Sequence, residues 1–165
     1  MARPRDWEQA AARLGLTYEP WGWTRQARLS GTVGSFAVVV AHSVTPEYDS
    51  TDYSVSFPPL GLGLSLRRAA PLRRLGRRLG GGAGLGVTGN PQFDRVVAVE
   101  GADPAGLATF LDAGRQAAVL RLLEGYPHAV VSDDGIRWSS HSVDPSACIE
   151  ATLRDLVEAA AALRR

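Results

Sequence analysis

Three histidines, one cysteine and a dense run of arginines are the side chains with which this 165-residue chain could do chemistry beyond folding. His42, His128 and His141 do not stand at metal-ligand spacing to one another or to Cys148, so no metal site is expected. His42 is followed by Glu47, Asp49 and Asp52, a set that could form an imidazole–carboxylate cluster for acid–base work. Loop solubility accounts for those acids equally well. Asp133-Asp134 could hold a hard cation, but a hairpin turn already explains both. Cys148 stands near a helix start, where a thiolate is favoured, although a small buried hydrophobe is the simpler role. No nucleophile elbow or other signature catalytic spacing occurs. No catalytic residue is assigned and no cofactor is implied. An enzyme would need a deep pocket gathering His42 or His128 with a carboxylate.

The arginines concentrate in LRRAAPLRRLGRRLGGGAGLGVTG, which carries Arg67, Arg68, Arg73, Arg74, Arg77 and Arg78. All 18 basic residues of the chain are arginine, as in a GC-rich coding bias, and no acidic residue lies between Tyr53 and Phe93. Outside those six, 12 basic residues face 17 acidic ones, so a mildly acidic body carries one strongly positive segment. As a helix the segment would place Leu72, Leu75 and Leu79 opposite the arginines, as on a membrane surface. Pro71, Gly76 and Gly80-Gly81-Gly82 leave about eight residues for it, short of the ~12–15 an isolated helix needs. Six arginines could also neutralise phosphates, but Leu66 to Gln92 holds no aromatic ring to stack on bases. The segment therefore reads as a flexible Arg/Gly-rich loop over 66–92. Neither nucleic acid nor membrane is the expected partner, and anion binding through the six arginines stands as an alternative. Gly84 to Gly89 satisfies G-x-G-x-x-G, but the dinucleotide motif needs a strand before it and a helix after it. Here a strand is expected to follow.

The elements that must position these residues are legible from periodicity. Trp7, Ala10, Ala11 and Leu14 share one helical face over Asp6–Leu14, with Gly15 placed to end that helix. Three strands follow: residues 26–33, then Phe36–Ala41, apolar enough to be covered on both faces, then residues 51–57, with Thr51, Tyr53, Val55 and Phe57 on one side. Phe93–Glu100 predicts a fourth strand. Asp103-Pro104 starts a helix that Gly114 separates from a second one. Residues 128–132 and 136–139 form a hairpin through Asp134-Gly135. Asp144-Pro145 caps the final helix, whose buried stripe holds Ile149, Leu153, Leu156, Val157, Ala160 and Leu163. The order α-βββ-loop-β-αα-ββ-α specifies an α+β fold, a mainly antiparallel sheet packed by N-terminal, central paired and C-terminal helices in a single domain over 1–165.

The run GNPQFDRVVAVEGADPAGLATFLDAGRQAAVLRLLEG, followed by VVSDDGIRW, resembles a pattern in uncharacterised bacterial domains. There a Gly-Asp-Pro-x-Phe-Asp lead-in precedes a strand, two short helices and a hairpin. The resemblance covers residues 89–138, with an echo in GTVGSFAVVV, and departs from the pattern at Asn90. It implies a fold, and it supplies no catalytic residue.

One cysteine allows no internal disulfide, and no run of ~18 apolar residues could span a bilayer, so a reducing, cytoplasmic setting is expected. Two tryptophans in EPWGW, Trp21 and Trp23, either cap the core or anchor a partner, since tryptophan is enriched at binding hot spots. Together these features favour a non-enzymatic module acting through a protein partner or self-association. An exposed apolar patch including Trp21 and Trp23 is its expected mark.

Overall fold

The computed structural model describes residues 4–22, 26–44, 49–69 and 88–165. The chain is α+β, with antiparallel strand pairs and five helices among the described residues. It divides into two compact units, residues 1–57 with 135–161, and residues 58–134 with 162–165.

In the first unit, α1 (Pro4–Leu14) buries Trp7, Ala10 and Ala11, the face set by the i, i+3, i+4 spacing. The Leu16 N–H closes the helix on the Ala11 carbonyl at 2.9 Å, the bond that follows a C′ glycine. Five strands pair in the order β1 (Thr17–Glu19), β2 (Arg28–Val33), β3 (Phe36–Val44), β4 (Asp49–Ser56) and β8 (Gly135–Ser140). The three-residue β1 escaped periodicity because so short a strand shows no alternation. Leu29, Val38, Val40, Tyr53, Val55 and Ile136 form the inner face, buried with Ile149, Leu153, Leu156 and Ala160 of α5 (Ser146–Leu163). Arg13 and Glu150 join α1 to α5 at 3.0 Å.

The apolar run in β3 is covered on one face only. Phe36, Val38, Val40 and His42 are buried, whereas Ala37 is exposed and Val39 and Ala41 are half-buried. Its outer side chains are small, and their strand neighbours Ser30, Thr32, Ser54 and Ser56 leave that face open.

In the second unit, β5 (Ser65–Arg68) lies between β6 (Val97–Glu100) and β7 (Val130–Ser132), with Leu66 opposite both Val99 and Val131. Arg67 and Arg68 therefore stand in a strand and not in a loop. Fully buried Leu66 anchors them there, a signal hidden by the charges that follow it. Residues 93–96 likewise depart from the expected strand. They close α2 (Pro91–Val96), because the Asn90 side chain accepts from the Gln92 and Phe93 N–H groups and Pro91 presets the first turn. Asp103 caps α3 (Pro104–Phe110) and Asp112 caps α4 (Ala113–Gly125), so the break falls at Leu111–Asp112. Gly114, expected to separate the helices, lies inside the first turn of α4 because the Asp112 cap starts it earlier. Arg115 ties that break together: it lies 4.5 Å over the Phe110 ring and donates to the Phe110 and Leu163 carbonyls.

Candidate functional site

The two ends of β3 and β4 bring together the polar residues of the first unit. Alternation along β3 sends His42 inward, beside Thr51 of β4, while Asp52 faces outward opposite Ala41. The suggested cluster of His42 with Asp52 is thus not formed, because a period of two places neighbouring positions on opposite faces. Asp52 instead accepts hydrogen bonds from Ser43 and from Ser139. Asp49 is exposed, and Glu47 lies outside the described residues.

His42 is 94% buried in effect, with 6% of its surface exposed, and its Nε2 finds no hydrogen-bond partner among the described residues. Trp21 lies across it, ring centroids 4.7 Å apart and planes tilted 56°, and Trp7 stands behind at 6.4 Å. Trp21 itself is 54% exposed, and Val44, two residues along β3 from His42, is 45% exposed. Asp49 pairs across from Val44 and makes no ion pair among the described residues. Trp23 lies outside the described residues. The arrangement is a half-open apolar patch with an unsatisfied imidazole nitrogen beneath it, and a free carboxylate at its margin. Burying such a nitrogen unpaired costs about 1–3 kcal/mol.

Beside this patch, Asp144 organises a closed polar network. Its carboxylate accepts from the Tyr53 hydroxyl at 2.7 Å and from the Ser140 and Ser142 hydroxyls at 2.8 Å. Its N–H donates to Thr51 Oγ1 at 3.0 Å, and its carbonyl accepts from Trp7 Nε1 at 3.2 Å. Asp144 therefore does not cap the last helix with its side chain, as Asp144-Pro145 suggested. The carboxylate is turned inward, and the first α-helical bond runs from the Ile149 N–H to the Pro145 carbonyl. Burial, and then the Asp144 carboxylate, push the Tyr53 hydroxyl far above the usual phenol range, so it remains a donor. The network shapes the site and offers no spare acid or base.

The other candidates are placed apart. Arg67 forms a 2.7 Å ion pair with Glu100, and Arg68 is exposed at the end of β5. Arg73, Arg74, Arg77 and Arg78 lie outside the described residues. The last part of the glycine motif precedes a helix after all. However, Thr88 N–H is taken by the Asp94 carboxylate at 3.2 Å, and the Gln92 and Phe93 N–H groups by Asn90. These three amides are therefore not offered to a pyrophosphate. His128 is exposed, and so is Cys148, which is free and not the small buried hydrophobe the sequence suggested. Its position in the first turn of α5 points it away from the buried Ile149 stripe.

Asp133 does more than shape a turn. Its carboxylate accepts from the backbone N–H groups of Gly61, Leu62 and Leu64 at 2.8–3.2 Å, filling a nest wound by Gly61 and Gly63 with φ of 76° and 59°. Burial pushes its acidity the other way, yet those donors together hold the carboxyl below its usual range. The glycines of PPLGLGL were the available signal.

On the outer sheet face, Glu19, Gln26, Arg28, Val39 and Ala41 line an open groove of about 560 Å³. No group of three His, Cys, Asp or Glu residues among the described residues could hold a metal. No helix among them is long and apolar enough to cross a membrane.

Fold and site together define an α+β protein of antiparallel strands and helices, with an exposed apolar patch at Trp21 and Val44 over a buried His42. A similar fold occurs in the crystal structure of the mycobacterial trehalose monomycolate transport factor A, TtfA. The TM-score is 0.62 at 12% identity, covering 98% of this chain and 94% of that one. At that identity the likeness is one of fold. No protein-family model and no curated protein matches the sequence.

Proposed function

We propose that this protein is a non-enzymatic interaction module that docks a protein partner through the patch formed by Trp21, His42 and Val44. The observation that carries this is Trp21, 54% exposed yet packed in a tilted contact against a buried imidazole. A tryptophan held by its neighbour has already lost rotamer freedom, so its exposed face can bind at low entropic cost. Tryptophan at the centre of a patch, with a desolvated polar group beneath, is the composition of a binding hot spot. The fold likeness to a transport factor supports an accessory role within a larger assembly.

The test is quantitative co-purification from the native host of the wild-type chain, Trp21→Ala, Val44→Asp and, as a remote control, Arg121→Ala. One stoichiometric partner is expected to be lost from the first two variants and kept by the third. A partner set unchanged by Trp21→Ala and Val44→Asp would refute the assignment.

A further inference from the structure

We infer that two copies of this chain pair face to face through the outer side of the first unit's sheet, the side of β3 opposite His42. The inference does not rest on the docking reading above, which concerns the other side. The strand registers lay Glu19, Arg28, Ala41, Asp52 and Ser139 in one row across β1, β2, β3, β4 and β8. Arg28 and Asp52 thus stand one strand away from β3 on either side. In the next row Thr17 and Arg137 occupy the two outermost of these strands, with Val39 at the centre. The charges of Arg28, Arg137, Glu19 and Asp52 balance, and none of the four makes an ion pair among the described residues. The Ser43 and Ser139 hydroxyls hold the Asp52 carboxylate in place.

That order is complementary to itself. A two-fold axis running along β3 turns β2 of one copy over β4 of the other. Arg28 then meets Asp52 of the second copy, and Asp52 meets its Arg28, so one contact is made twice. Arg137 of the second copy comes over Thr17. Its stem enters the groove beside Glu19, Arg28 and Val39, and its guanidinium is within reach of the Glu19 carboxylate. On the axis Ala37, Val39 and Ala41 face their own counterparts, small side chains that let two sheets pack at about 10 Å. A uniformly acidic or basic partner would meet one repulsive residue for each attractive one, so the balanced pattern selects a second copy. Five strands ~4.8 Å apart, contacting over about three rows of side chains, cover on the order of 500 Å² per copy, below the roughly 800 Å² of a standard interface. The pairing is therefore weak and concentration-dependent, in the micromolar range.

Sedimentation velocity of the full chain across that range tests the pairing. The wild type is expected to pass from one chain to two as concentration rises, and to associate less as salt is added. Arg28→Asp alone and Asp52→Arg alone each set like charges opposite one another, and each should weaken association at least about tenfold. Mixed in equal amounts, the two variants regain both ion pairs across one interface and should associate as the wild type does. Restoration in the mixture excludes misfolding as the cause of either loss. Trp21→Ala is expected to leave the dimer intact, because Trp21 packs on His42 at the other side of β3. A chain monomeric throughout the range, or a mixture no tighter than its components, overturns the inference. Loss of the dimer in Trp21→Ala with retention in Arg28→Asp also overturns it, and moves self-association to the Trp21 patch.

Discussion

The Tyr53 hydroxyl donates a 2.7 Å hydrogen bond to the Asp144 carboxylate, joining β4 to the chain just before α5 across 91 residues of sequence. Both groups are buried, so neither has water to fall back on. Asp144→Ala would take the acceptor from the buried Tyr53 hydroxyl, while Ser140 and Ser142 would keep their bond to each other. We expect a loss of about 2–3 kcal/mol, against about 1 kcal/mol for Tyr53→Phe, read as midpoint shifts in urea.

The same pair sets an alkaline limit. A phenol held above its ordinary value of 10.0 favours its neutral form in the folded state. Its contribution is therefore complete below pH 10 and declines as pH rises beyond it. Absorbance titration of the native protein should show Tyr53 failing to ionise near pH 10. Ionisation there without unfolding would contradict the buried bond.

Asp133 has the opposite sign. Its carboxyl lies below the ordinary 3.8, so its contribution is present above that value and is lost as pH falls below it. Asp133→Ala should cost about 1 kcal/mol at neutral pH, with the difference from wild type shrinking in acid. Chemical denaturation at pH 7 and pH 3 measures both.

Gly135 has no room for a side chain. A Cβ there would stand 2.5 Å from the Val55 carbonyl oxygen, a backbone atom that cannot swing aside. Gly135→Ala should destabilise by about 2 kcal/mol and disturb the pairing of β4 with β8. A neutral result in thermal unfolding would show that the two strands can part.

Two tryptophans separate structure from recognition. Trp7 is 3% exposed and Trp21 54%. Trp7→Ala should cost about 3–5 kcal/mol, and Trp21→Ala less than about 1 kcal/mol, while only the latter leaves a folded protein that loses its partner. Circular dichroism melts alongside co-purification distinguish the two outcomes.

Arg67 tests the anion alternative. Its exposed pair with Glu100 is worth about 0.5 kcal/mol and leaves it poorly placed to meet a phosphate. Binding to DNA or to anionic vesicles should be weak and show a flat salt response. A steep one would establish the arginine segment as a docking surface.

Local periodicity and capping alone specified the α+β class, the buried face of α1, the inward residues of β4 and the capped start of α3. Each follows from spacing or from a cap formed within a few residues. The tertiary structure decided everything that depends on distant partners. Leu66 made a strand of two arginines by pairing with Val99 and Val131. Asp144, read locally as a cap, turned inward because Tyr53 and Ser140 supplied better donors. Asp133 was claimed by amides about 70 residues away, and His42 was parted from Asp52 by the pleat and covered by Trp21. Spacing along a chain identifies which groups can hydrogen-bond or bury. Which of them meet is settled by the long-range packing that brings the strands side by side.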